Sequence, residues 1–532
     1  VTRLLLCATV ACLVSPLTPL HAESASHAPA AHSPIPDSIT TGSVALPGGT
    51  VAYKAIAGTI LVHARHYDDS SSVIASRTEQ PPASDKHEGE DKDDAVASMF
   101  YVAYFKQGVP AGKRPVTFLY NGGPGSATVW LHMGSVGPLR LDTPGDTHLP
   151  APPYTLIVNP QSLLDVTDLV FIDAPGTGFS RIAGHDADKA FYGVDADGHA
   201  FTDFIVQFLA KYDRFNSPRY LFGESYGTTR SAVVANDLED RSIDLNGVIL
   251  LSQILNYDNS VDEPEANPGI DDPYILALPT YAATAWYHKR LSPMPADLPA
   301  FLREVEHFAL TDYSAALRQG ADLPADQRKA IAAKLAAYTG LPAPYILRSG
   351  LRVNGGQFTK ELLADAGMTT GRLDTRFSGP TLDPVSREAG YDPQSTALSS
   401  AYVSAFNVYV RQTLHYGEGV TYKEGIEVNW DFKHHRPGPD SDNPGTNVMP
   451  DLARVMKEDP KLKIMLNSGY YDLATPYFEG VYEMKHLPIP ASLYGNIEFK
   501  QYASGHMVYV KPDALQRLHD NVADFIRRTD NL

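Results

Sequence analysis

The chain has 532 residues, of which 43% are hydrophobic and 20% charged, close to a globular average, and this argues against wholesale disorder and against a polytopic membrane protein. Its 44 Lys plus Arg stand against 62 Asp plus Glu, a net charge of −18, which speaks against a nucleic-acid surface or an anionic membrane as partner.

In chain order, Arg3 precedes an apolar run from Leu4 to Leu20, interrupted by Pro16 and Pro19, and Ala22 offers a cleavage residue. That pattern predicts a secretory signal peptide over residues 1–22, too short and too broken for a bilayer span, with export to a periplasm or the outside. Cys7 and Cys12, the two cysteines, lie in this run, so the mature chain carries no disulfide and no thiol chemistry. Residues 23–40 have the Ala, Ser, His and Pro composition of a disordered linker. Thr50 to Val62 alternates enough to predict a hairpin, and a polar loop near 70–95 contains the acidic run Glu88 to Asp94. A calcium site is the sharper reading of that run, but its spacing does not match an EF-hand loop.

Short apolar runs then follow at Met99–Phe105, Val116–Tyr120, Leu169–Ile172, Tyr220–Phe222, Val248–Leu251, Ile464–Leu466 and Ile497–Tyr502. Their length and their content of Val, Ile, Tyr and Phe predict buried strands. Helical patterns at Ala200–Tyr212 and Thr228–Leu238 alternate with them, the mark of an α/β protein with a mostly parallel central sheet flanked by helices. From 258 to 440 the rhythm breaks into helical stretches (Thr280–Arg290, Leu298–Ala309, Ala325–Tyr338) and Pro/Gly-rich connections. This predicts a largely helical cap inserted between a first core part, 41–257, and a second, 441–532.

Gly223-Glu-Ser225-Tyr-Gly227 directly follows a predicted strand and precedes a predicted helix. Glycines two residues either side of a serine allow a tight strand-to-helix turn that lifts the hydroxyl above the sheet, the context of a nucleophile elbow. A serine needs a base, and the base an orienting carboxylate, which in this fold follow in the order Ser, Asp or Glu, His. Asp472 and His506, each just beyond a late strand, are the candidates. An oxyanion needs waiting backbone amides. Asn121-Gly-Gly123-Pro-Gly125, after the strand Val116–Tyr120, can supply one and Tyr226, next to the serine, another.

Asn121 to Gly125, Gly223 to Gly227, Gly469 to Leu473 and Ser504 to Met507, in this order and with comparable spacing, resemble the serine carboxypeptidase family, as does Asp173 to Ser180. The resemblance runs from about residue 98 to the C-terminus. It implies an α/β-hydrolase fold, a triad of Ser225, Asp472 and His506, and an oxyanion hole from the amides of Gly123 and Tyr226. It also implies that Asn121 and Glu224 bind the terminal carboxylate of a peptide with a free C-terminus. A glutamate facing a carboxylate cannot comfortably ionise as well, so a shared proton and a raised glutamate pKa are expected.

Three departures stand out, one of them the long acidic loop before residue 95, which has no counterpart in the family. Ser135-Val-Gly-Pro138 falls where the family has a second carboxylic acid, which puts the family's acid preference in doubt, and Ser126 replaces a cysteine. Gly176-Thr-Gly178 followed by Arg181 fails a dinucleotide fingerprint. His63 with His66, and His434 with His435, lack the array of a metal site, so neither cofactor nor metal is expected. An exported serine carboxypeptidase is the leading reading. An esterase or acyltransferase on the same scaffold and a non-catalytic secreted binding protein are its rivals.

Overall fold

The computed structural model describes residues 35–65, 95–435, 442–443 and 445–532. The expected signal peptide, most of the linker, the acidic run and His66 lie outside them. Among the described residues ten strands form the main sheet: β1 (Ser38–Leu46), β2 (Gly49–His63), β3 (Val96–Lys106), β4 (Val116–Tyr120), β5 (Asp168–Ile172), β6 (Arg181–Ala183), β7 (Arg219–Glu224), β8 (Gly247–Leu251), β9 (Lys463–Gly469) and β10 (Ile497–Tyr502). Their spatial order is β1-β2-β3-β5-β4-β7-β8-β9-β10, with β6 also paired to β3. The pairs β1–β2, β2–β3, β3–β5 and β3–β6 are antiparallel, and every pair along β5-β4-β7-β8-β9-β10 is parallel. This is an α/β-hydrolase fold.

Every residue of β4, β5 and β8 is buried, as parallel strands with both faces covered must be. Successive side chains feed opposite layers. Val248 and Leu250 join one core with Phe201, Phe204 and Phe208 of helix α2 (Val194–Lys211) and Val233, Val234 and Leu238 of α3 (Tyr226–Asp240). Ile249 and Leu251 join the other, with Leu131 of the short helix at Val129–Gly134 and Leu515, Leu518 and Phe525 of the helix at Pro512–Thr529. Burying each such large apolar side chain contributes about 1.5–3 kcal/mol.

Three expectations need correction. The linker does not extend to residue 40, because Ser38–Thr40 already pair with Ala55–Ala57 in β1. Backbone pairing along an edge strand, where Ile39 stays 64% exposed, needs little apolar periodicity, which is why the segment read as unstructured. Thr50 to Val62 is one arm of a hairpin rather than a whole one: β2 runs through it and turns back at Pro47-Gly48 onto β1. The helical stretch read as Thr280–Arg290 is Asp272–Tyr287, with Pro273 in its first turn and Pro279 inside.

Between β8 and β9 lie mostly helices, including Leu298–Phe308, Ala325–Thr339 and α4 (Pro393–Gln412). Composition hid α4, because Ser395, Thr396, Ser399 and Ser400 fill its first half. Its start was legible: Asp392 caps the Ser395 N–H at 2.7 Å and Pro393 takes the first helical position.

Candidate active site

The site lies at the carboxyl ends of the parallel strands, where open α/β sheets bind ligands. Tyr120 of β4 is level with Gly223 of β7, and Leu251 of β8 with Glu224 and with Asn467 of β9, so the loops after these strands leave side by side. Ser225 sits between β7 and α3 at φ 61°, a left-handed conformation that L side chains enter only under constraint. Two hydrogen bonds hold it there, Ser225 N–H to the Leu251 carbonyl at 3.0 Å and Thr228 N–H to the Ser225 carbonyl at 2.7 Å. Glycine is obligatory on its N-terminal side: a Cβ on Gly223 would stand 2.1 Å from the Gly227 carbonyl oxygen.

The Asn121–Gly125 loop passes directly over the start of α3, and a Cβ on Gly122 would stand 2.4 Å from the Tyr226 nitrogen. That close approach is what brings the loop's backbone beside Tyr226. Asn121 is held on three sides. Its carbonyl accepts from Arg230 Nη1 at 2.6 Å, its Oδ1 accepts the Leu131 N–H at 3.0 Å, and its N–H donates to Thr128 Oγ1 at 3.3 Å. With Oδ1 engaged, the amide turns its NH2 toward Glu224. Arg230 is itself fully buried against Asp197 of α2 at 2.7 Å.

At the other end of the chain, the loops after β9 and β10 cross tightly. A Cβ on Gly469 would stand 2.2 Å from the Gly505 carbonyl, and one on Gly505 would stand 2.4 Å from Asp374. Asp472 Oδ2 and His506 Nδ1 meet at 2.8 Å, and Oδ2 also accepts the Thr475 hydroxyl at 2.7 Å. Asp472 Oδ1 accepts the N–H groups of Ala474 and Thr475 at 2.9 and 3.0 Å. A carboxylate with four donors is fixed in orientation, and so is the imidazole it holds. The histidine backbone is pinned too: its N–H donates to the Leu373 carbonyl at 2.7 Å and its carbonyl accepts the Ser252 hydroxyl at 2.7 Å. Burial pushes the His506 pKa down, but the charge and hydrogen bond of Asp472 and the charge of Glu224 outweigh it and hold the pKa above the ordinary value.

Glu224 is 2% exposed, and its burial raises its pKa to about 7 despite opposing contributions from His506, Tyr509 and Asn121. Tyr509 donates its hydroxyl to the two carboxyl oxygens at 2.9 and 3.2 Å. The hydroxyl of Ser135 donates to the Leu131 carbonyl at 2.5 Å.

Asn121, Gly123, Glu224, Ser225, Tyr226 and His506 all line one cavity of about 500 Å³. Asp472 is fully buried behind His506 and does not reach it. Sequence reading missed Thr475, the Leu373–Asp374 strut and Tyr509. A threonine three residues after the acid was the one visible signal among them, since a hydroxyl at that spacing can turn back onto a carboxylate.

Residues 81–288 match the family model described as serine carboxypeptidase. This stretch, well under half of the chain, is similar to the serine carboxypeptidase family. A carboxypeptidase Y homolog of Arthroderma benhamiae is 32% identical over 145 residues, 27% of this chain and 27% of that protein. Serine carboxypeptidase-like 36 of Arabidopsis thaliana is 28% identical over 171 residues, 30% of this chain and 33% of the relative. The match thus spans about a third or less of these relatives' own length. The match to the crystal structure of KEX1(delta)p, a prohormone-processing carboxypeptidase from Saccharomyces cerevisiae, covers 89% of this chain and 91% of that one, with a TM-score of 0.50 and 16% identity, a likeness of fold.

Among the described residues no group of three or more His, Cys, Asp or Glu could hold a metal ion, and no helix is long and apolar enough to cross a membrane.

Proposed function

We propose that this protein is a serine carboxypeptidase that hydrolyses the last peptide bond of peptides with a free C-terminus. Ser225 Oγ attacks the carbonyl carbon as His506 Nε2 takes its proton, and the amides of Gly123 and Tyr226 receive the oxyanion. His506 then gives the proton to the departing amine, which leaves as the free terminal amino acid. Water, deprotonated by the same imidazole, cleaves the acyl-enzyme and restores Ser225. Asp472 fixes the imidazole tautomer and stabilises its cation.

The observation that carries this reading is the shared cavity, in which Ser225 and His506 stand beside Asn121 and a buried Glu224 with a raised pKa. Protonated Glu224 and the Asn121 amide both donate to the substrate's carboxylate. In the productive free enzyme His506 is neutral and Glu224 carries the proton, so the pair holds one proton in all. The segment 258–440 serves as a cap over this cavity. Residues 1–22 serve as an export signal, so that the exported protein in the periplasm or medium begins after residue 22, which sequencing its N-terminus checks.

The decisive experiment compares a peptide with its C-terminal amide. Carboxypeptidase action requires the free acid to be cleaved at least about a hundredfold faster, since charge-assisted hydrogen bonds contribute about 1.5–3 kcal/mol each. Equal rates on both would remove Asn121 and Glu224 from this role and leave an esterase or acyltransferase. No hydrolysis of any ester or peptide would leave a binding protein.

A further inference from the structure

Gln394 was not among the expected site residues. It lies in the first turn of α4, behind the Asp392 cap and Pro393, and is 1% exposed. Gln394 lines the same cavity as Ser225, and neither its Nε2 nor its Oε1 has a hydrogen-bond partner among the described residues. A buried carboxamide left unpaired on both heteroatoms is costly, and a leucine of similar size would carry no such cost. Both atoms are closed off from solvent, so a turn of the side chain toward the cavity is what completes the group.

Its surroundings say what completes it. Leu398, one turn along α4, Trp130 and Met507 form the adjoining wall. Trp130 packs against Tyr402 of α4 with ring centroids 5.6 Å apart, and the next residue, Leu131, donates its N–H to Asn121. Gln394, Leu398 and Tyr402 follow at four-residue spacing along one face of α4, and Tyr402 lies within electrostatic reach of Glu224, which sets Gln394 on the side of the cavity that adjoins Asn121 and Glu224. Ile254, Tyr257 and Phe432 also line the cavity, from the segments after β8 and before β9. With the terminal carboxylate at Asn121 and Glu224, the side chain beside Gln394 is that of the departing residue.

We infer that Gln394 is a specificity-determining residue that selects peptides whose last residue carries a side-chain carboxamide, glutamine or asparagine, through a paired N–H···O contact in each direction. This deepens the carboxypeptidase reading and rests on it. A carboxamide presents a donor and an acceptor together, which satisfies both orphaned atoms at once; an apolar terminal residue would seal them off unpaired. The walls of Leu398, Trp130 and Met507 exclude water from that contact and hold the stem of the side chain.

The test is kinetic, on peptides identical except for a final Gln, Asn, Leu or Met. The native protein should cleave the best carboxamide substrate with kcat/KM at least about tenfold above the Leu peptide, one paired contact being equivalent to about 1.4 kcal/mol. In Gln394→Leu the ratio should fall below one, and Gln394→Glu, which keeps a polar head, should sit between. A native protein that cleaves Gln and Leu peptides equally, or a ratio unmoved by Gln394→Leu, overturns the inference while leaving the peptidase reading intact. A native protein that cleaves none of the four overturns both.

Discussion

Two buried histidines in this molecule are each held by aspartate, and they differ in what is left over. His506 gives Nδ1 to Asp472, and among the described residues no second carboxylate holds its Nε2. His434 is clamped on both nitrogens, Nδ1 to Asp195 at 2.6 Å and Nε2 to Asp451 at 2.8 Å. Burial pushes His434 down, but the two carboxylates outweigh it and lift its pKa to about 9. A cavity of about 550 Å³ adjoins this second cluster, lined by Asp195 and His435 and, among the described residues, by no serine, threonine or cysteine. A histidine beside a carboxylate and a cavity does not by itself make a site of this kind. One ring nitrogen must stay available, and a nucleophile must share the space.

Removing the nucleophile breaks the comparison most sharply. Ser225→Ala should lower kcat by roughly 10⁴–10⁶, and adding His506→Ala should cost little more, because the two act as a unit. His434→Gln, assayed at the same temperature on the same peptide, should stay within a fewfold of the native kcat. A loss comparable with that of Ser225→Ala would erase the distinction between the clusters.

The pH dependence comes next. kcat/KM should trace a bell near neutrality, rising as His506 loses its proton and falling about tenfold per unit above the Glu224 pKa of about 7. A plateau continuing through pH 9 would count against Glu224 as the carboxylate's proton donor.

Stability should follow His434. Its folded pKa of about 9 lies above the ordinary 6.5, so its contribution is fully present below pH ~6.5 and lost as pH rises through about 9. Thermal melting of the native protein should therefore decline by several degrees from pH 6.5 to 9.5. His434→Gln should melt lower at pH 6.5 and decline less over that range.

The smallest effect belongs to Tyr509→Phe. Losing the hydroxyl that donates to the Glu224 carboxylate raises that group's pKa further, so the alkaline limb of kcat/KM should move up by roughly half a unit to one unit. A limb that stays in place would remove Tyr509 from the proton's environment.

What was legible in the sequence follows its physics. β4, β5 and β8 read clearly because strands buried on both faces are continuous apolar runs, and Ser225, Asp472 and His506 stood out because tight loops after strands demand Gly223, Gly227, Gly469 and Gly505. Less visible were contacts that join distant segments through single atoms. Leu373 bracing the His506 amide, or Tyr509 reaching Glu224 across 285 positions, leaves no local pattern. β1 escaped because an edge strand is specified by its backbone ladder, and α4 because its serines and threonines mask the apolar face that Leu398, Ala401 and Tyr402 bury.

The most direct measurement is covalent labelling with a fluorophosphonate, which reacts only with a serine whose proton is being removed, followed by mass mapping of the adduct. One phosphonyl group on the peptide containing Ser225, absent in Ser225→Ala and formed several hundredfold or more slowly in Asp472→Asn, is the expected result. Stable native protein that takes up no label, or takes it up undiminished in Ser225→Ala, would contradict the role of Ser225 as the nucleophile served by His506.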